Sequence, residues 1–273
     1  MRPKSAGVVA ALLVTAGMVP LSGPAVAALP ACPEVYGHGG YPASGDTVAL
    51  DQVRQPHHPR GLQAQSGWGA DGVEADVQLT RDGTKAVMWH NTTTGKLTGS
   101  NNKITELWWA TGGTMLSGRT IEVGPYAGET VYTLREWLNS AKANGLNAYL
   151  EVKGDARQSL LHSDAAIKAR AWSELLAPVQ ERYAGQAITM YSNDTAVAAE
   201  LNTRAAALGL SSVLVNRPKW TDSVAWQEPP LPAFGNEAKW ASVLATGPSR
   251  VFTSYPREYR VWLTSQAGVG CSA

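Results

Sequence analysis

The chain has 273 residues, 23 of them basic and 22 acidic, for a formal charge of +1. That balance excludes the basic footprint of a nucleic-acid binder, so no nucleic-acid partner is expected. A 44% hydrophobic content with ten tryptophans excludes a disordered polymer. After Ala28 no apolar run reaches the roughly 18 residues of a membrane-spanning helix.

The chain opens with the marks of an export leader. Met1–Ser5 carries Arg2 and Lys4, Ala6–Leu21 is apolar and uncharged, and Ala25-Val26-Ala27 fits a cleavage site. Residues 1–27 are expected to be removed, leaving 28–273 as one secreted domain. An exported protein keeps its disulfides, and Cys32 and Cys271 are the two cysteines available. They are expected to pair. Leu29-Pro30-Ala31-Cys32 also faintly resembles a lipobox, which would lipidate Cys32 instead.

Taken in chain order, eight short β-rich runs alternate with helical ones. The strands are expected at Glu34–His38, Gly72–Leu79, Ala86–His90, Asn147–Lys153, Ala187–Ser192, Ser211–Asn216, Leu231–Asn236 and Arg250–Ser254. Each is bounded by turn residues, and Pro232 makes the seventh the weakest. Thr133-Leu-Arg-Glu136 is a capping box. Leu134, Trp137, Leu138 and Ala141 follow at helical spacing up to Gly145. Ala165–Tyr183 and Thr195–Leu208 are periodic and alanine-rich. Strands alternating with helices predict a parallel α/β architecture, and the length suits a single (β/α)8 TIM barrel. Gln52–Ala64 and Thr92–Val131 stand out as insertions able to shape a site.

The most informative stretch is Gly72-Val-Glu74-Ala-Asp76-Val-Gln-Leu-Thr-Arg-Asp82-Gly83. Alternate residues of a strand share a face, so Glu74 and Asp76 converge. Two carboxylates this close call for a cation between them, unless the strand simply exposes both to water. Glu151 and Lys153 repeat the spacing, as a site pair or a plain ion pair. His38 and His90 end two other strands, where imidazole can give and take protons near neutral pH. His57 and His58, flanked by Pro56 and Pro59, read as structural, with an accessory metal or substrate contact as the alternative. His162 reads as a helix-start or surface residue. No G-x-S-x-G element or Gly-rich nucleotide loop is present.

These residues resemble the glycerophosphodiester phosphodiesterase family. Gly69-Ala-Asp-Gly-Val-Glu74-Ala-Asp76-Val-Gln-Leu-Thr-Arg-Asp82-Gly83 is similar to its central block, and His38 and His90 to its two histidine strand ends. Tyr132-Thr-Leu-Arg-Glu136 and Leu150-Glu151-Val-Lys153 are similar to its next helix start and strand. Phe234-Gly-Asn236 and Thr253-Ser-Tyr-Pro256 resemble its last strand ends. The resemblance implies a (β/α)8 barrel with the site at the C-terminal strand ends. It implies that Glu74, Asp76 and Glu151 hold one divalent cation, Ca²⁺ or Mg²⁺, that His38 and His90 are the acid and base, and that Lys153 binds phosphate. Taken with the export leader, the expectation is a secreted, monomeric diesterase acting on a small-molecule phosphodiester, with Trp108, Trp109 and the long loop able to make transient lipid-surface contact. A sphingomyelinase-D-like phospholipase on the same barrel, a catalytically silent barrel that binds an envelope ligand, and a glycosidase using Glu74 and Glu151 are the competing readings. The sequence departs from the family pattern at four places. Gly39 replaces an arginine, with Arg217 or Lys219 as candidate substitutes. Asn91 replaces the acid beside His90, Ser44-Gly45-Asp46-Thr47 replaces a Pro-Glu-Asn-Thr turn, and Ser254 replaces an aspartate.

Overall fold

The computed structural model describes residues 32–39, 57–95, 98–122, 127–182, 184–210, 236–266 and 270–271. Six strands lie among them: β1 (Glu34–His38), β2 (Gly72–Leu79), β3 (Ala86–Met88), β4 (Asn147–Val152), β5 (Ile188–Tyr191) and β6 (Arg250–Thr253). Five run parallel in the order β5-β4-β2-β1-β6. The first and last strands therefore sit side by side, as a closed barrel requires. The expected strands at Ser211–Asn216 and Leu231–Asn236 lie outside the described residues except for Asn236, which opens a helix.

All eight residues of β2 are buried, the mark of a parallel strand covered on both faces. Val73, Ala75, Val77 and Leu79 join the main apolar core. That core includes Leu134, Trp137, Leu138 and Ala141 of α2 (Leu134–Ala143) and Trp172, Leu175 and Val179 of α3 (Ala165–Arg182). The α1 helix (Pro59–Gly67) contributes Leu62, and α4 (Thr195–Ala207) contributes Val197 and Leu201. On β6 and its flanking helices α5 (Asn236–Leu244) and α6 (Pro256–Ser265), Trp240, Tyr259 and Trp262 form a second core with Val35. The opposite face of the strands carries Tyr36, Tyr149, Tyr191 and Phe252, a cluster of aromatic rings in mutual contact. Gly72 is required here, since a Cβ would lie 2.3 Å from the Tyr36 ring.

Two sequence expectations need correction. Ala86–His90 is not a barrel stave: β3 ends at Met88 and pairs antiparallel with β2, Val77 opposite Met88 and Leu79 opposite Ala86. Only a tight turn separates the two, with Asp82 and Gly83 at φ 53° and 63°. A parallel partner needs a crossover of about a dozen residues, for which there is no room. The place beside β2 goes to β4 instead. The second correction concerns Gln52–Ala64, whose described part is no irregular insertion. Pro59 starts α1, and His58 caps it by accepting the Arg60 N–H at Nδ1, 3.1 Å away. The His58 Nε2 meets the Glu129 carboxylate. With Nδ1 accepting, the ring is neutral and Nε2–H donates. Burial pushes this imidazole down to about 4 against the pull of Glu129. His58 is thus structural, as the sequence reading favoured.

The segment after β3 also folds onto the barrel. Trp89, Ile104, Leu107, Leu116 and Val131 pack there with Val87, and the half-buried Trp108 lies under Arg81. Cys32 and Cys271 are joined as expected, across 239 residues of chain. Among the described residues no helix is long and apolar enough to cross a membrane.

The capping box is present, with Thr133 Oγ1 accepting from the Glu136 amide and Glu136 Oε2 from the Thr133 amide at 2.9 Å. Thr133→Ala is expected to cost about 1 kcal/mol in a urea titration, with the m-value unchanged. Replacing both cysteines by serine should remove up to about 5 kcal/mol, because the unfolded chain regains the entropy of a very long loop. Thermal melts with and without reductant would read this, and no difference between them would contradict it.

Candidate active site

Strand register builds the site. His38 of β1 lies level with Glu74 of β2, and Asp76 of β2 lies level with Glu151 of β4, which in turn lies level with Tyr191 of β5. Three carboxylates thereby meet at the C-terminal ends of adjacent strands. Glu74, Asp76 and Glu151 are 3%, 2% and 8% exposed, and each offers an oxygen within 4.8 Å of the others. The exposed-acid reading of β2 is thus wrong, because both of its acids point inward and are shielded from water.

Such a cluster needs compensation, and Lys153 supplies part of it. Its Nζ is 3.2 Å from Asp76 Oδ1 and 3.3 Å from Glu151 Oε1. Burial works against the ammonium, but the Asp76 and Glu151 charges outweigh it and raise its pKa. Burial also pushes the Asp76 carboxyl up. The hydrogen bond and charge of His57, with the charges of Lys153 and His90, reverse this and hold it well below the usual carboxylate range. Tyr191 donates its hydroxyl to Glu151 Oε2 at 3.1 Å, and Asn193 donates its amide to Oε1 at 2.9 Å. Burial and the three acids raise the Tyr191 phenol far above its ordinary value, so it remains a donor. Among the described residues, three carboxylates and the Lys153 ammonium gather hard oxygen donors with a surplus of negative charge. The donor set fits a divalent cation of the calcium or magnesium type.

The two expected histidines stand around these acids. His38 Nδ1 lies 3.3 Å from Ser254 Oγ, and its Nε2 lies 4.0 Å from Glu74 Oε2. The serine that replaces an aspartate thus still contacts the ring. His90 arrives by a different route from that expected. The β2–β3 hairpin folds back so that the Trp89 amide bonds the Asp76 carbonyl, bringing His90 alongside the acids. Gln78, on the same face of β2 as Asp76, holds this return by donating to the carbonyls of Trp89, His90 and Asn91. His90 Nδ1 is 2.6 Å from Asn91 Oδ1. The amide oxygen only accepts, so Nδ1 carries the proton in the neutral ring and Nε2 is left with its lone pair.

Gly39, in the place of the family's arginine, has a role of its own. At φ 68° its amide turns back to donate to Glu74, 3.1 Å from both the backbone oxygen and Oε2. A side chain in that left-handed conformation would be strained. Arg217, Lys219 and Ser44–Thr47 lie outside the described residues.

His57, expected to be structural with an accessory metal or substrate contact as the alternative, has Nε2 2.8 Å from Asp76 Oδ2 and so joins the site. Gln78 is absent from the sequence expectations, although its i+2 spacing from Asp76 is the signal that could have found it. His162 is an ordinary local contact, accepting the Asp164 amide.

The structure resembles solved proteins of similar topology. A candidate glycerophosphoryl diester phosphodiesterase from Silicibacter pomeroyi DSS-3 superposes with a TM-score of 0.58 at 16% identity, over 89% of this chain and 96% of that one. A phosphodiesterase from Oleispira antarctica, solved with its product sn-glycerol-3-phosphate, gives 0.55 at 16% identity, over 86% and 98%. A glycerophosphodiester phosphodiesterase from Agrobacterium tumefaciens str. C58 gives 0.50 at 14% identity, over 83% and 99%. No curated protein matches the sequence. These likenesses identify the fold as the single-domain (β/α)8 barrel. Residues 61–251 match the model of the glycerophosphoryl diester phosphodiesterase family, which spans the acids of β2 and β4 and the hairpin that carries His90. On that match the chain belongs to the glycerophosphoryl diester phosphodiesterase family.

Proposed function

We propose that this phosphodiesterase hydrolyses glycerophosphodiesters, or related phospholipid headgroup diesters, with one Ca²⁺ or Mg²⁺ held by Glu74, Asp76 and Glu151. The observation that carries the reading is the buried triad of acids, two of which, Asp76 and Glu151, share the Lys153 ammonium. The glycerol phosphate bound to the Oleispira relative supports a glycerol-phosphate half in the substrate.

The residues divide the work by chemistry. When bound, a divalent cation offers Lewis-acid stabilisation to phosphoryl oxygens. Lys153 adds a fixed ammonium beside the same acids, directed at the negative charge of the phosphodiester. His38 and His90 are each anchored through Nδ1, to Ser254 and Asn91, so Nε2 is the working atom of both. One removes the proton from the attacking hydroxyl or water, and the other protonates the departing alkoxide. Gly39 keeps Glu74 in place through its amide.

We also infer that the protein is exported after loss of residues 1–27. The disulfide supports that reading, since such bonds persist outside the reducing cytosol.

The test is release of choline from glycerophosphocholine by the purified protein. Turnover should vanish with a chelator and return with Ca²⁺ or Mg²⁺. Turnover that survives complete chelation would overturn the cation assignment, and absence of turnover on every soluble headgroup diester would overturn the substrate assignment. Activity on intact lipid vesicles alone would favour the phospholipase reading. His38→Ala and His90→Ala are each expected to lower kcat by about 10²–10⁴-fold while leaving the melting temperature close to wild type. Wild-type kcat in either variant would remove that histidine from the chemistry.

A further inference from the structure

We propose that His57 is a positioning residue for the cation site, fixing the Asp76 carboxylate through Oδ2 so that Oδ1 faces Lys153 and the common ligand position. The inference rests on the cation reading above and extends it to a residue outside the strands.

Four observations carry it. The His57 side chain is fully buried, although the ring is polar. Its Nε2 lies 2.8 Å from Asp76 Oδ2, while the other oxygen of that carboxylate is the one that meets Lys153, 3.2 Å away. The Asp76 amide also comes within 3.2 Å of Nε2, a packing contact rather than a second hydrogen bond once the Nε2 proton is given to Oδ2, so the ring is seated against both the side chain and the backbone of the same residue. Finally, His57 adopts φ 42°, a left-handed conformation that residues with a side chain rarely take. Such strain persists where surrounding contacts over-determine it, and it concentrates at functional sites.

The chemistry follows from the acceptor. A carboxylate oxygen only accepts, so at 2.8 Å Nε2 must carry the proton and donate it. This leaves Asp76 with one oxygen committed to His57 and one presented inward. Carboxylates that bind metals are characteristically oriented by such outer hydrogen bonds, and losing one costs about 10–100-fold in metal affinity. The neighbouring His58 shares the loop but turns to Arg60 and Glu129. The two adjacent imidazoles therefore have separate tasks, and His58 serves as an internal control.

The experiment is a calorimetric titration of the full chain with Ca²⁺ and Mg²⁺, supported by circular dichroism for folding. His57→Leu removes the donor, and His57→Asn suits the left-handed backbone but is too short to reach Oδ2. Both are expected to lose about tenfold or more in cation affinity. His57→Gln, whose Nε2 can reach the same oxygen, should recover to within about threefold of wild type. His58→Ala should lower the melting temperature and leave the affinity unchanged. A folded Leu or Asn variant with wild-type affinity would overturn the role of His57. So would a Gln variant as weak as the Leu one, or an equal loss in His58→Ala. If wild-type protein binds neither ion, the cation reading fails, and the inference fails with it.

Discussion

Charge confined among neighbouring strands is the constraint on which the rest of this structure depends. Asp76 and Glu151 face each other across a parallel β-ladder, with Glu74 two residues earlier on the same face. Left alone, three carboxylates at this spacing would repel and resist burial. Their surroundings answer that cost one oxygen at a time. Lys153 meets two of them, Gly39 turns its amide to a third, and Tyr191 and Asn193 divide the oxygens of Glu151. The strands supply the alignment, and the side chains around them supply the donors.

The same alignment explains the use of the hairpin. A histidine at the end of another parallel stave would sit at a neighbouring strand end. By folding back along β2, the chain instead lays His90 next to the strand that bears two of the acids. Gln78 then fixes the returning backbone from beneath. The departures from the family pattern also become intelligible here. Asn91 still gives His90 an oxygen to hold Nδ1, and Ser254 does the same for His38. What changes is the charge behind each imidazole, not its anchoring.

Much of this was legible in the sequence. Glu74-x-Asp76 and Glu151-x-Lys153 follow the two-residue period of a strand, which no fold can hide. The Thr133 capping box is local chemistry and formed as written. Ala86–Met88 was read correctly as extended, but its direction was not. Direction is a property of the connection, and a short turn and a long crossover flank similar apolar runs. The α1 start was missed because histidine is an unusual cap, so Pro-His-His-Pro resembled a loop. The partner of His57 was not legible, because it lies 19 residues on, a contact that only the folded chain brings about.

The cysteine bridge sets Cys32 just ahead of β1 and Cys271 beyond α6, while β1 itself pairs with β6. Covalently, the intervening polypeptide is a ring. A protease that cuts one surface loop between the two sulfurs opens that ring without releasing a fragment. The severed barrel keeps its strands tethered, and a nicked molecule has the hydrodynamic mass of an intact one until its disulfide is reduced.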